Sequence, residues 1–312
     1  MKPYEDYIFY VGRIPYQLWQ LERIAKRLGG TPILPGYQGE IGGICLFANQ
    51  IQESRPNTKL LRVYVAHGTS NKPCTMWFGD RGKDIYDYYW TTGPKMRKIF
   101  EQFGHGIKGK EIKIGNLRFD WYFNDYSHSR VMDLLKIKNN LPLLIFAPTF
   151  KKQTLEHCNE TFKPLLEKYN VVIKPHPIEK VNQFRKHHRL QVYEGDISNI
   201  LWAADVLISD ESSVAYDFTI TGKPIVLCPP IASTSFDDED KYNLEKHTAS
   251  FEYWDEKADI MESIEEARAR VDEVKQLCKD SFWYQDGYAT DRACDWIRKI
   301  IDERFINGKK KE

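Results

Sequence analysis

The sequence predicts an α/β protein built from two doubly wound, Rossmann-like parallel sheets. Three observations carry that expectation. Apolar strand-like runs alternate with amphipathic segments along the chain, the series restarts after Asn139-Asn140, and polar residues gather in the turns that follow the strands. Alternating strands and helices imply parallel sheets covered on both faces. In such folds ligands sit at the carboxyl ends of the strands. The expected organisation is one α/β domain over 1–138, a second over 139–290 facing it across a cleft, and a closing helix with a basic tail over 291–312.

Each element has a local reason. The run 7–11 reads as a strand, and 16–28 as an amphipathic helix stopped by Gly29-Gly30. Strands over 44–48 and 61–66 follow, bounded by turn residues, and a helix over 94–103 ends at Gly104. The second series opens with a strand at 143–147, a helix around 161–169 and a strand at 171–174. A helix over 179–187, a strand at 191–193, a helix over 197–203 and a strand at 206–209 continue it. Ser212-Ser213 then opens a helical segment, and after Gly222 a strand is expected over 224–227. The charged stretch 255–279 and the closing helix 291–305 read as amphipathic scaffold.

Composition narrows the function classes. The 312 residues carry a formal charge of +1, so no global field draws the chain to nucleic acid. The one dense basic cluster, Lys309-Lys310-Lys311, reads as a solvated tail able to touch anionic lipid weakly. None of the six cysteines forms a Cys-x-x-Cys pair, and their spacing suggests reduced thiols. The start is acidic and lacks the apolar core of a signal peptide, and no run approaches a membrane span. A cytoplasmic protein is the expectation.

The polar turns carry the candidate chemistry. Ser209-Asp210-Glu211-Ser212-Ser213 links a buried strand to a helix start, where free N–H groups, the helix dipole and two hydroxyls suit an anion. The same serines can serve simply as helix caps. His67-Gly68-Thr69 follows a strand, and a histidine there is suited to accept a hydroxyl proton near neutral pH. A backbone-bonded turn histidine is the plainer alternative. Pro148-Thr149 follows the strand at 143–147, and Lys174-Pro175-His176-Pro177 follows the strand at 171–174. The two prolines stiffen that loop, and Lys174 with His176 can neutralise phosphate oxygens. Arg118, in Gly115-Asn116-Leu117-Arg118-Phe119-Asp120, suits either a bidentate phosphate contact or an ion pair with Asp120. Asp286-Gly287-Tyr288-Ala289-Thr290-Asp291-Arg292 reads as structural, with Thr290 or Asp291 capping the closing helix. The acidic run Asp237–Asp240 reads as a solvated loop, so no metal site is expected. There is no phosphate-cradling Gly-x-x-x-x-Gly-Lys loop and no Gly-x-Ser-x-Gly elbow.

Taken in order, six motifs resemble the CDP-glycerol glycerophosphotransferase family of teichoic acid and capsule enzymes. They are His67-Gly68-Thr69, Gly115-Asn116-x-Arg118-x-Asp120, Ala147-Pro148-Thr149-Phe150, Lys174-x-His176-Pro177, Ser209-Asp210-x-Ser212-Ser213-x-x-x-Asp217 and Asp286-Gly287-x-Ala289-x-x-Arg292. The resemblance implies a GT-B-like fold, with the acceptor on the N-terminal domain and a CDP-glycerol or CDP-ribitol donor on the second. It implies transfer of a polyol phosphate to the hydroxyl of a lipid-linked or capsular glycan, with release of CMP and no cofactor. His67 is then the expected base, and His176 the second catalytic residue beside Lys174 on the donor phosphates. Gly68, Thr69, Lys72, Arg118, Pro148, Thr149, Ser212, Ser213 and Asp217 are implied as substrate-binding. One departure stands out: the family often continues His-Gly-Thr with Pro-Leu-Lys, whereas this chain has Ser70-Asn71-Lys72, keeping the lysine alone. Peripheral contact with the inner face of the cell membrane follows from such an acceptor. Two rival readings are a GT-B glycosyltransferase or epimerase using a nucleotide sugar, and a silent module that binds phosphate polymers.

Overall fold

A computed structural model describes residues 4–306 apart from 13–14, 36, 38–41, 49–59, 66–68, 70–85, 103–106, 149–161, 178–189, 211, 229–239, 253–254 and 256. The described residues fall into two compact units. One is drawn from Met1–Gly68, Pro73–Phe123 and Phe282–Glu312, the other from Thr69–Lys72 and Asn124–Ser281.

The first unit holds a six-stranded parallel sheet in the order β2-β1-β3-β4-β5-β6. Its strands are β1 (Ile8–Val11), β2 (Thr31–Ile33), β3 (Gly43–Phe47), β4 (Leu60–Tyr64), β5 (Tyr88–Thr91) and β6 (Glu111–Lys113). The central strand β3 is buried along its whole length, which is why its sequence, Gly-Ile-Cys-Leu-Phe, shows no polar alternation. One face packs on the helices Glu22–Leu28 and Ala289–Ile301, through Ile24, Leu28, Ala293, Ile297 and Ile301. The other carries the rings of Phe47, Tyr64, Tyr86, Tyr89 and Phe100. Tyr64 meets Tyr86 at 5.1 Å between centroids, and Tyr89 meets Phe100 at 5.3 Å. Such contacts contribute about 0.5–1.5 kcal/mol each beyond the area they bury.

The second unit holds another six-stranded parallel sheet, in the order β12-β11-β10-β7-β8-β9. Its strands are β7 (Leu143–Ala147), β8 (Asn170–Ile173), β9 (Leu190–Val192), β10 (Val206–Ser209), β11 (Ile225–Leu227) and β12 (Ala249–Ser250). Counted from β7, this is the 3-2-1-4-5-6 order of a dinucleotide-binding fold, with its switch point between β7 and β10. Every residue of β7, β8 and β10 is buried. Burying each large aliphatic side chain is worth about 1.5–3 kcal/mol, so these apolar runs become the centre of the sheet.

Several elements differ from the sequence-based expectation. The segment around 161–169 and the one over 197–203 form short 3-10 turns, at Pro164–Glu167, Ile197–Asn199 and Leu201–Ala203. Asp196 caps the first turn of the latter pair through Ser198 N, and the chain tightens there instead of propagating a helix. The expected helix over 16–28 is helical only from Glu22, after a 3-10 stretch Pro15–Leu21. The stretch 255–279 divides into two helices, Ile260–Ala269 and Val271–Ser281. The helix expected over 179–187 lies outside the described residues.

The units change at 123/124 and 281/282, where the sequence reading drew its lines at 138 and 290. Asn139-Asn140 is a turn leading into β7, fixed by reciprocal amide bonds between Asn139 and Asn170 at 2.8 and 3.0 Å. The preceding helix, His128–Leu134, packs on the turn Leu201–Ala203 of the second unit. Near the C-terminus, Trp283 N donates to Thr92 O at 3.0 Å, and the indole N–H to Thr91 Oγ1 at 3.0 Å. These bonds return the chain to the first unit before the closing helix begins.

Candidate active site

The second unit's candidate residues stand where its sheet changes winding direction. Ser209 pairs with Ala147 across β10 and β7, and its hydroxyl donates to Ala147 O at 2.7 Å. Cys228 N donates to Ser209 O at 2.7 Å, and Lys174 N to Phe146 O at 2.8 Å. The carboxyl ends of β8, β7, β10 and β11 are thereby locked in step. From that edge spring Pro148, the Lys174–His176 loop and the Ser212–Ser213 helix start. Pro148 is buried and His176 half-buried. Lys174 is 5% exposed, with its ammonium donating to Pro175 O at 2.7 Å.

Ser212 settles one question left open by the sequence. It is the N-cap of the helix Ser213–Phe218, accepting from Val214 N at 3.4 Å. Ser213 occupies the first helical position and is half-buried. Asp217, expected one turn further along, is wholly buried within that helix, as is Asp210 at the end of β10. Burial raises the Cys228 thiol, and the charge of Asp210 raises it further, so Cys228 remains a protonated core group. Cys45 is likewise pushed up to about 12 and Cys278 to about 11 by burial.

In the first unit the turn after β6 carries Arg118. Gly115 adopts φ +89°, and Asn116 accepts Arg118 N at 3.0 Å through its side-chain oxygen. Asp120 is fully buried, and its two carboxylate oxygens accept Ala289 N at 2.9 Å and Thr290 N at 2.6 Å. This corrects the expected cap of the closing helix. Thr290 is buried with its hydroxyl unbonded among the described residues, and Asp291 pairs with Arg27. The acceptor comes from Asp120, some 170 residues earlier.

A shallow hollow, open to solvent, lies at the carboxyl ends of β4, β5 and β6, walled by Val65, Trp90, Ile114, Gly115 and Asn116. Trp90 is 2% exposed, and its indole N–H meets no acceptor among the described residues. Sequence reasoning missed Trp90 because β5, Tyr-Tyr-Trp-Thr, shows no alternation. It also missed Lys95, wholly buried in the first turn of the helix Pro94–Gln102. Thr69 is buried. His67, Gly68, Lys72 and Thr149 lie outside the described residues. Pro148, Lys174, His176, Ser212 and Ser213 thus share one sheet edge, while Arg118 belongs to the other unit. Among the described residues no group of three His, Cys, Asp or Glu side chains is placed to hold a metal ion, and no helix is long and apolar enough to cross a membrane.

Two doubly wound sheets with polar turns at the strand ends define a GT-B-like α/β protein. The chain belongs to the CDP-glycerol:poly(glycerophosphate) glycerophosphotransferase family, whose model matches residues 65–299. It is 32% identical over 200 residues to the teichoic acid glycerol-phosphate primase of Bacillus subtilis (strain 168), covering 56% of this chain and 51% of that protein. It is 24% identical over 248 residues to the teichoic acid glycerol-phosphate transferase of Staphylococcus aureus, covering 69% and 61%. The chain therefore spans about half the length of the curated relatives it matches. Among solved structures, a variant of the wall teichoic acid polymerase TagF soaked with CDPG superposes with a TM-score of 0.71 at 17% identity, covering 95% of this chain and 89% of that one. The UDP-GlcNAc 2-epimerase of Neisseria meningitidis bound to UDP-GlcNAc gives 0.62 at 8% identity, covering 94% and 99%. At these identities the structural likeness concerns the fold alone.

Proposed function

We propose that this protein transfers a polyol phosphate, glycerol phosphate in the first instance, from a CDP-polyol to a hydroxyl of a teichoic acid or capsular acceptor. The observation that carries the reading is the family match over 65–299, which takes in all six ordered motifs. In the reaction, the acceptor oxygen forms a bond to the phosphorus bearing the glycerol. The bond from that phosphorus to the bridging oxygen breaks, and CMP leaves with the electron pair. His67 takes the acceptor proton. Lys174 and His176 offset the charge that gathers on the phosphates, with Ser213 donating from the helix start. Little covalent work is asked of the protein in such a reaction, where positioning and charge stabilisation dominate.

The geometry of the second unit supports this assignment. A nucleotide diphosphate is expected at the switch point of a doubly wound sheet, and Pro148, Lys174, His176 and Ser213 occupy that edge. The acceptor is assigned to the first unit, where the hollow beside Trp90 and Asn116 lies at the strand ends. A lipid-linked acceptor would bring the protein to the cytoplasmic face of the membrane as a peripheral enzyme.

Ligand-dependent melting tests the donor. A ligand held at about one hundred times its Kd raises stability by about 2.7 kcal/mol. CDP-glycerol or CDP-ribitol should raise the melting temperature well above any shift from UDP-sugars. A larger shift with UDP-GlcNAc would favour the nucleotide-sugar reading. Binding of polymer without any CDP-polyol response would favour the silent module.

A further inference from the structure

Two of the six motifs, far apart in the chain, meet as one clamp in the first unit. Arg292 donates from Nε to Ile114 O at 2.7 Å, immediately before Gly115. Its other nitrogens bond Asp286 at 3.0 and 2.8 Å, and its guanidinium stacks on Tyr284 at 3.9 Å. So close is the approach that a Cβ on Gly115 would stand 3.0 Å from Arg292 Nη2. At the far end of the same loop, Asp120 is tied to the amides of Ala289 and Thr290. Between these two anchors the chain carries Asn116, which walls the hollow, and Arg118, whose amide Asn116 holds.

We infer that Arg292 is a positioning residue for transfer. It sets the turn after β6, and through that turn the placement of Arg118, without touching substrate. The inference rests on the function proposed above and names how that site is held. A guanidinium suits the task because its rigid planar fork serves the carbonyl and the bidentate carboxylate in one fixed geometry, which a freely rotating ammonium does not impose. Asp286 fixes the fork, and Tyr284 covers its face.

The test is a double-mutant cycle on CMP release from CDP-glycerol, with Arg292→Lys, Arg118→Ala and the double variant. Arg292→Lys should lower kcat/KM by roughly tenfold to a hundredfold, the scale of a misplaced binding group. In the Arg118→Ala background the same change should cost less than about twofold, because the group it positions is gone. Melting temperature is followed alongside. Should Arg292→Lys fail to fold, Asp286→Asn replaces it, keeping the bond to Ile114 O and expected to show the same non-additivity at smaller amplitude. Losses that multiply in the double variant would overturn the inference while leaving the transferase reading intact. A folded wild type that released no CMP from any CDP-polyol would overturn both.

Discussion

Asp120 and Thr290, 170 positions apart, are joined by a 2.6 Å bond from the backbone N–H of Thr290 to a wholly buried carboxylate oxygen. The other oxygen takes Ala289 N, so one side chain satisfies two of the amides that open the helix Ala289–Ile301. Tyr288, at the cap position, supplies no side-chain acceptor. An anion at a helix N-terminus is also favoured by the helix dipole. Asp120→Ala leaves two buried donors without partners and should destabilise the first unit by about 2–4 kcal/mol. Asp120→Asn retains one acceptor and should cost less. Urea unfolding of the two variants checks the order.

Gly115 and Gly109 offer a matched pair. Both have positive φ, +89° and +79°, but a Cβ on Gly109 would meet nothing within 4 Å. Gly109→Ala should therefore cost only the left-handed backbone penalty, about 1–2 kcal/mol. Gly115→Ala adds tight contacts with Arg292 Nη2, at 3.0 Å, and with Tyr284, whose Cδ2 lies 3.2 Å from the new atom, so both neighbours must give way. It should lose more stability than Gly109→Ala and lower CMP release as well, whereas Gly109→Ala should leave turnover unchanged.

Acid should loosen the clamp from the side of Asp286. Its hydrogen bond from Arg292 holds the carboxyl below the usual carboxylate range, against the opposing effect of burial. A depressed native pKa contributes stability that is present above the unfolded value of about 3.9 and is lost as pH falls through the native value. The wild type should therefore lose melting temperature more steeply between pH 5 and 3 than Asp286→Asn does. Equal slopes would mean that the ion pair contributes nothing over that window.

Ser212 and Ser213 should separate in their effects. Ser212→Ala removes a helix cap made at 3.4 Å, a long bond, and should cost about 0.5–1 kcal/mol. Ser213→Ala leaves the cap in place and should change stability by less than about 0.5 kcal/mol. Its effect should appear in the apparent affinity for CDP-glycerol. Calorimetric titration of both variants distinguishes capping from donor binding.

The fold class was legible because the central strands are uninterrupted apolar runs. Leu-Leu-Ile-Phe-Ala in β7 and Val-Leu-Ile-Ser in β10 are buried throughout, as a sheet covered on both faces requires. Three of the four edge strands escaped notice for the opposite reason. β2 contains Pro32, β6 reads Glu-Ile-Lys and β12 has two residues, so none carries a periodic signal. The candidate site was legible only as a placement of turns after strands, since chain order alone puts Pro148, Lys174 and Ser212 at one edge once the sheet is parallel. What local pattern did not reveal was long-range partnership. Thr290 sits where a capping residue belongs, yet the acceptor arrives from Asp120; likewise Arg292 reaches Ile114 from a segment that reads as a simple turn and helix start. Unit boundaries suffered for the same reason, because Trp283 is bonded to Thr91 and Thr92, which no feature near residue 283 announces.

The most direct test of the central claim is a mass balance on the transfer itself. Purified protein is incubated with CDP-glycerol and a lipid-linked teichoic acid acceptor, and both CMP and acceptor mass are followed. One CMP is expected for each glycerol phosphate gained by the acceptor, with the yield falling by about 10²–10⁴-fold in His67→Ala. CMP at background level with every CDP-polyol, from a protein that melts cooperatively, would contradict it.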